Sequence, residues 1–288
     1  MHADEIVVIA LTAVSSVAFL LIIASGLTVI FGTMRIINMA HGEFLMLGAF
    51  TVVQVVRWGL SFWVGLVAAP LVVGAIGLLI ERTLIRFLYG RRLEAILATW
   101  GVGLIIVQSM QNLYGPLTEG VPPPLGSARI GNFSVSQYSF VLIGFAVAIL
   151  ITVYWLFKHT RYGVMARAAS QLPDIAASMG VRSERINMLT FGLGAAIAGL
   201  GGALIAPLVG VVPSMGAGFI AQAFMTVVTG GPLIVSGTIA SGVLLGTTNS
   251  LVAYFATAFL GQAGLLIVAI MVLRLCPDGI SSRWKGSL

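Results

Sequence analysis

The chain has 288 residues, of which 59% are hydrophobic and 8% are charged, and Lys and Arg outnumber Asp and Glu by 15 to nine. A soluble domain usually carries about 25% charged residues, so this composition excludes a soluble enzyme, a nucleic-acid-binding protein and a disordered chain. We expect an all-α, polytopic helical bundle that forms a single transmembrane domain over residues 1–288.

Long uncharged runs mark the predicted membrane segments. They cover residues 6–34, 44–56, 60–80, 95–113 and 138–157, and residues 186–273 contain no Asp, Glu, Lys or Arg at all. Because a bilayer crossing needs about 20 apolar residues, the last run has room for about four crossings and the whole chain for about eight or nine segments. Within that run we predict helix breaks near residues 207–213, near residues 230–232 and near Gly261.

The distribution of basic residues predicts the orientation of the chain. They crowd a loop at residues 82–92, a second loop at about 158–188, and the C-terminal segment that includes Lys285. Cytoplasmic loops carry an excess of Lys and Arg, so we expect these three regions and the C-terminus in the cytoplasm. The loop at about 112–137 holds one Arg, one Glu and four prolines. We expect it to be extracytoplasmic and irregular, and the acidic N-terminus to be periplasmic.

Between the first two apolar runs lies a polar stretch that contains Asn38, His41, Gly42 and Glu43. An ionised carboxylate at bilayer depth costs roughly 2.5–3.5 kcal/mol on insertion scales, so it should face protein or water. One interpretation is a broken helix that lines the translocation pathway. The other is a cap, because a carboxylate in the first turn of a helix is favoured by the macrodipole. Both remain open at this point.

The second basic loop contains a predicted short helix at residues 171–180. Pro173 suits the first helical position, Asp174 the positive end of the helix, and Gly180 its termination. Ile175 and Met179 lie four residues apart and form one small apolar surface. In one interpretation this surface inserts into a groove on a cytoplasmic partner. In the other it packs on the membrane surface or on the helical bundle of the same chain.

Two sequence patterns bear on packing. Residues 44–53 match residues 219–228 at five apolar or Thr positions with a constant offset of 175, and a broken, Gly-containing stretch precedes each copy. Such internal repeats with interrupted helices are typical of transporter cores, and we expect the two copies to run in opposite directions. Small residues at four-residue spacing in residues 192–203 and 237–246 predict close helix contacts.

Several chemical motifs are absent from the sequence. It has neither the G-x-x-x-x-G-K-[ST] phosphate loop nor the G-x-S-x-G nucleophile elbow. Its three histidines are His2, His41 and His159, and their spacing does not suit a metal site. We therefore expect no catalytic residue, no metal and no cofactor in this chain.

Three segments resemble one family of transport proteins. GLTVIFG at residues 26–32, followed by RIINMAHGEFLMLGA at residues 35–49, closely resembles the signature of permeases in branched-chain amino-acid ABC importers. LEAILATWG at residues 93–101 is similar to a second segment of that family, with a likeness to its urea-permease branch. Residues 167–181 resemble the loop that holds the family's coupling helix. Residues 230–233 and 244–250 depart from the pattern, which leaves the solute open.

The resemblance implies a fold, a mechanism and partners. The chain would be an inner-membrane permease that works with two ATP-binding cassette subunits, a second related permease, a periplasmic solute-binding protein and membrane lipids. The implied solutes are branched-chain or other apolar amino acids, or urea and short amides, which would move by alternating access. The residues that the resemblance assigns to the ATPase-contacting helix are Arg167, Pro173, Asp174, Ile175, Ala176, Ala177, Met179 and Gly180.

Two other classes of function remain as alternatives. His41 and Glu43 could serve a proton-coupled secondary transporter, and a passive channel for a small neutral solute is the third reading.

Overall fold

The computed structural model describes residues 3–130 and 133–283, and these residues contain eleven α-helices and one two-stranded ribbon. His2 and Lys285 lie outside the described residues. In chain order the elements are α1 (Ala3–Met34), α2 (His41–Arg57), α3 (Phe62–Thr83), α4 (Arg92–Tyr114), β1 (Ser127–Ile130), β2 (Phe133–Ser136), α5 (Tyr138–His159), α6 (Arg161–Gln171), α7 (Pro173–Ser178), α8 (Ser183–Ile205), α9 (Met215–Gly230), α10 (Ile234–Phe255) and α11 (Ala258–Leu275).

The helical lengths confirm a polytopic membrane fold. Six helices of the described chain are long and apolar enough to cross a bilayer. Helices α9 and α10 form a pair bent by 117°, and the count rises to seven if this pair is one span. The predicted eight or nine segments also count the short α2 and both arms of that pair, so that number is approximate. Leu71, Leu104 and Ile267 are more than half exposed on three of these helices, as surfaces that face lipid require.

The chain divides into two compact units, and the first contains residues 25–121 and 151–221. We call it the α8 unit, because α8 packs along both α2 and α3 at its centre. A Cβ atom added to Gly48 would lie 2.0 Å from the Gly199 carbonyl oxygen, and one added to Gly202 would lie 1.7 Å from that of Leu45. The small residues predicted to permit close helix contact therefore do so, through direct approach of backbones.

The second unit, which we call the α11 unit, contains residues 3–24, 122–130, 133–150 and 222–283. Here α10 packs on α11 and on the first part of α1. A Cβ added to Gly246 would meet the Cα of Val17 at 2.7 Å, and the Asn249 amide donates to the Ser16 hydroxyl at 3.2 Å. The predicted small-residue packing of residues 237–246 is thus confirmed as well.

The helix break predicted near Gly261 is present, but it does not fall at the glycine itself. Gly261 lies inside α11, and the break falls at residues 256–257 instead. Thr257 caps α11, because its hydroxyl accepts the Leu260 N–H at 3.3 Å. Gly261 is a contact residue, since a Cβ there would lie 2.7 Å from the Asn249 carbonyl oxygen. The glycine therefore permits close packing of α11 on α10 rather than ending a helix.

The break predicted near residues 230–232 is confirmed, and the C-terminal turn closes over it. Gly231 adopts a φ of +87°, which favours glycine, and the Leu233 N–H donates to the Ser281 hydroxyl at 3.2 Å. Ser281 belongs to the 3₁₀ turn Ile280–Arg283 and is 1% exposed. The elbow between α9 and α10 is therefore stabilised by the chain that follows α11.

The loop at about 112–137 is less irregular than the sequence predicted. Residues 115–126 carry its prolines and form neither helix nor strand over most of their length. Strands β1 and β2 follow and pair antiparallel, with Ser127 opposite Ser136 and Ile130 opposite Phe133. Prolines are confined to the part before β1, so nothing in the hairpin itself removes a ladder hydrogen bond.

Candidate functional site

The first candidate site lies where α1 gives way to α2. Helix α1 ends at Met34, and Arg35 has a φ of +53°, the left-handed region that non-glycine residues rarely adopt. Its N–H still donates to the Phe31 carbonyl at 3.0 Å. Residues 35–40 are not helical, and α2 begins at His41. The broken stretch predicted in front of residue 44 is therefore present.

Asn38 organises this break from a fully buried position, with 1% of its surface exposed. Its side-chain oxygen accepts the Ala40 N–H at 3.1 Å, and its backbone carbonyl accepts the His41 N–H at 3.3 Å. The neighbouring Met39 N–H donates to the Thr99 hydroxyl of α4 at 3.1 Å. These bonds satisfy backbone donors that a helix break leaves open.

Glu43 is the third residue of α2 and is 8% exposed. Its Oε2 atom has no hydrogen-bond partner among the described residues. The carboxyl lies against α4 where that helix carries no side chain, because a Cβ on Gly103 would be 3.5 Å from the Glu43 Cδ. The helix dipole favours a carboxylate in the first turn, which is where Glu43 lies. This position is compatible with both interpretations, a cap of α2 and a residue beside the pathway.

The starts of α2 and α9 touch each other at two glycines. A Cβ on Gly42 would lie 2.2 Å from the Gly216 carbonyl oxygen, and one on Gly216 would lie 2.6 Å from the Gly42 carbonyl carbon. His41 packs nearby on α1, with its Cε1 3.1 Å from where a Gly26 Cβ would be. The N-terminal ends of α2 and α9 therefore meet at these two glycines, next to Glu43 in the chain.

The structure brings the four predicted residues Asn38, His41, Gly42 and Glu43 together, and we call them the α2 cluster. Its framework includes residues that the sequence did not indicate. Thr99 and Gly103 complete it from α4, and Gly216 from α9. Thr99 belongs to a segment singled out by resemblance alone. Gly216 lies in the Gly-containing stretch that precedes the second copy of the repeat, whereas Gly103 had no signal of its own, because a helix contact across 60 residues leaves no pattern in one sequence.

The second candidate site is α7, a helix of six residues with Pro173 at its start and Asp174 in its first turn. Its end is a Schellman motif: the Gly180 N–H donates to the Ala177 carbonyl at 2.9 Å and the Val181 N–H to the Ala176 carbonyl at 3.0 Å. Gly180 has a φ of +83°. The predicted helix and its glycine stop are both present.

The surface of α7 is apolar and exposed. Ile175 is 58% exposed and Met179, the residue that ends the helix, is 79% exposed. Leu172, which the sequence analysis did not single out, is 57% exposed and directly precedes the helix. By contrast, Ala176 is buried at 4%. The helix is therefore anchored through one alanine and leaves its large apolar side chains exposed.

Helix α6 was missed by the sequence analysis, and it anchors this region. Thr160 caps it by accepting the Gly163 N–H at 3.1 Å. The Tyr162 hydroxyl is 2.5 Å from that of Thr190 in α8, and burial raises the pKa of Tyr162. Arg167 is half-buried and donates to the Phe157 carbonyl. Arg167 therefore holds α6 against the end of α5, a structural contact that differs from the exposed position of Ile175.

Comparison with known proteins identifies relatives along nearly the whole chain. Residues 9–275 match the family model described as the permease component of the branched-chain amino acid transport system. The Escherichia coli K12 high-affinity branched-chain amino acid permease protein LivH is 30% identical over 91% of this chain and 91% of its own. LivM of the same organism, also a branched-chain amino acid permease protein, is 28% identical over 93% of this chain and 69% of its own.

A solved structure supports the fold. PsaBC from Streptococcus pneumoniae in complex with Fab superimposes with a TM-score of 0.51 at 15% identity, and the match covers 92% of this chain and 89% of that chain.

Proposed function

Because the chain belongs to the family of permease components of branched-chain amino acid transport systems, we propose that it is the translocation subunit of an ATP-driven importer. Members of this family are multi-pass membrane permeases that work with partner subunits and are not themselves enzymes. The observation that carries the proposal is α7. It is a capped helix with exposed Ile175 and Met179, a form suited to insertion into a groove on another protein.

The proposed orientation places α6 and α7 in the cytoplasm of an inner-membrane protein. Arg161, Arg182 and Arg185 are exposed around these helices, and such residues concentrate on the cytoplasmic side. The N-terminus of α1, with Asp4 and Glu5 in its first turn, then lies outside and the end of α11 inside. The β1–β2 hairpin is extracytoplasmic in this arrangement, and the exposed apolar side chains of the long helices contact lipid.

Three kinds of protein partner follow from this arrangement. Each of two ATPase subunits would bind one coupling helix, α7 here and its equivalent in a second permease. The similarity of this chain to both LivH and LivM favours a related but different chain as that second permease. A periplasmic solute-binding protein would deliver the solute to the extracytoplasmic side.

The proposed route passes the α2 cluster. The Gly42–Gly216 contact leaves no room for a side chain, so in this conformation the starts of α2 and α9 close the space beside Glu43. Alternating access would separate them when ATP binding moves α7. Branched-chain or other apolar amino acids are the proposed solutes, and the names of LivH and LivM both give branched-chain amino acid transport. Urea and short amides are the competing class.

The test of this function is whether α7 binds the ATPase. Ile175→Asp and Met179→Asp each place a charge in the proposed groove, and burying an unpaired charge in an interface costs several kcal/mol. We expect both variants to insert normally and to lose the ATPase subunit in a pull-down from mild detergent. Val164→Asp, which places the same charge on an exposed side chain of α6, is the matched control. Undiminished association of both α7 variants would contradict the coupling role.

Transport assays separate the remaining alternatives. Proton-driven uptake in vesicles without any ATPase would establish a secondary transporter, and downhill flux through the purified chain a channel. A competition series of leucine, valine, urea and acetamide against uptake by the complete complex would decide between the two solute classes.

A further inference from the structure

Residues 115–121, which we call the strap, run from the end of α4 to the end of α2. Glu119 of the strap forms an ion pair with Arg57, the last residue of α2. The Arg57 guanidinium also lies over the ring of Tyr114, the last residue of α4, 5.3 Å from the ring centroid. Arg57 therefore joins the strap, α2 and α4 at one point.

Tyr114 fixes the place from which the strap starts. Its hydroxyl donates to the side-chain oxygen of Gln54 at 2.8 Å, and its ring packs on that of Phe50 with the centroids 4.7 Å apart. Both partners belong to α2. A single exposed ion pair contributes little, but here the hydrogen bond and the ring contacts act on the same few residues. The strap is therefore anchored to α2 as well as to α4.

The strap also holds residues 206–214, which lead from α8 into α9. Glu119 and Val211 form an isolated antiparallel bridge, in which the N–H of each residue donates to the carbonyl of the other at 2.9 Å. Next to the bridge, a Cβ atom on Gly210 would lie 3.9 Å from the Cβ of Thr118. Each hydrogen bond of this kind has a modest net free energy, because water can replace the partner. The bridge can therefore part and re-form.

The bridge lies close in the chain to the contact that holds α9 on α2. Val211 is five residues before Gly216, and the chain between them turns, since the Met215 N–H donates to the Val212 carbonyl at 3.1 Å. So short a segment has little slack. Because the strap is anchored to α2, a movement of α9 that separates Gly216 from Gly42 must also pull Val211 away from the strap.

We propose that the strap is a latch on the proposed route: the Glu119–Val211 bridge is closed together with the Gly42–Gly216 contact and opens each time α9 leaves α2. Arg57 is a positioning residue, because it holds the strap on α2 while the bridge opens. In the proposed orientation the latch lies on the extracytoplasmic side, opposite α7. The inference rests on the proposed function, since the route and its opening by an ATPase are part of that function.

A reversible crosslink tests the latch. The 3.9 Å between the two Cβ positions of Thr118 and Gly210 lies within the range that a disulfide spans. We would combine Thr118→Cys and Gly210→Cys with Cys276→Ser, which removes the one native cysteine. This variant leaves both the ion pair and the bridge in place.

The matched control is a crosslink within the β1–β2 hairpin. Ser127 and Ser136 are opposite each other in that ribbon, so Ser127→Cys with Ser136→Cys, again with Cys276→Ser, joins two strands that the latch does not require to part. Both variants are reconstituted as complete complexes, with ATPase subunits and binding protein, in proteoliposomes. Uptake of labelled leucine, ATPase association and the melting temperature are measured before oxidation, after oxidation and after reduction.

We expect oxidation of the Thr118–Gly210 pair to lower leucine uptake by at least about tenfold, because the closed state can no longer open. Reduction should restore uptake, and ATPase association should stay the same throughout. The hairpin control should take up leucine equally well in both states. A strap with only a structural role would behave differently: oxidation would raise the melting temperature and leave uptake unchanged.

Unchanged uptake after complete oxidation, verified by the loss of free thiols, would overturn the latch. If that variant does not fold or does not oxidise, Glu119→Cys with Val211→Cys replaces it. Residues that exchange both backbone hydrogen bonds have Cα atoms about 5.5 Å apart, which a disulfide also spans, and the result is interpreted in the same way. Failure of the proposed function looks different: the wild-type chain would then take up leucine without any ATPase in the vesicles.

Discussion

Replacing Gly42 by alanine is expected to push the starts of α2 and α9 apart. The added methyl group would lie 2.2 Å from the Gly216 carbonyl oxygen, about 1 Å short of the 3.4 Å at which ordinary van der Waals contact begins. Both neighbouring groups are backbone, so no side chain can rotate away. Overpacking of this kind costs typically about 1–3 kcal/mol, of which the better helix propensity of alanine recovers at most about 1 kcal/mol.

If the Gly42–Gly216 contact closes the route, the same cost weakens the closed conformation. A penalty of about 1–2 kcal/mol changes the ratio of closed to open states roughly five- to 30-fold. We expect Gly42→Ala to melt at a lower temperature and to lose most ATP-dependent uptake in reconstituted vesicles. Gly101→Ala is the control, because a Cβ there meets nothing within 4 Å. Wild-type melting and wild-type uptake in Gly42→Ala would refute the reasoning.

Two further predictions concern the two candidate sites. Glu43→Gln keeps the shape of a side chain that is 8% exposed and removes its charge. We expect this variant to melt at or above the wild-type temperature, because no charge remains to be desolvated. We also expect its uptake to be strongly reduced. Glu43→Ala should lose uptake or folding, and wild-type uptake in either variant would remove Glu43 from the pathway. Gly180→Ala forces alanine into a φ of +83°, which costs roughly 1–2 kcal/mol, so ATPase association in a pull-down should weaken several-fold. Gly218→Ala, at an open position with an ordinary φ, should leave association unchanged, and equal binding by Gly180→Ala would argue against a rigid α7.

The helices themselves were predictable from the sequence because they depend on local composition. Uncharged runs correspond to the long helices, and Pro173 and Gly180 mark both ends of α7. The repeat at an offset of 175 joins α2 and α9, two short helices that each follow a non-helical stretch. Gly261 shows the limit of this reasoning. A glycine in an apolar run predicts either a helix break or a close helix contact. The structure shows a contact, because the backbone of Asn249 in α10 lies directly against Gly261.

The candidate site was predictable in part for the same reason. Asn38 and Glu43 stood out because polar groups between apolar runs are costly in a membrane. Gly103 did not, since its role is to leave space for a group on another helix. Such roles arise from packing and have no local pattern.

The central claim is that this chain is a route through the membrane without an energy source of its own, driven through α7. Its most direct test is uphill leucine uptake into proteoliposomes that contain the purified permease with and without the ATPase subunits, in the presence of ATP. The account predicts accumulation only when the ATPase subunits and hydrolysable ATP are both present. Accumulation against a gradient by the permease alone would contradict it.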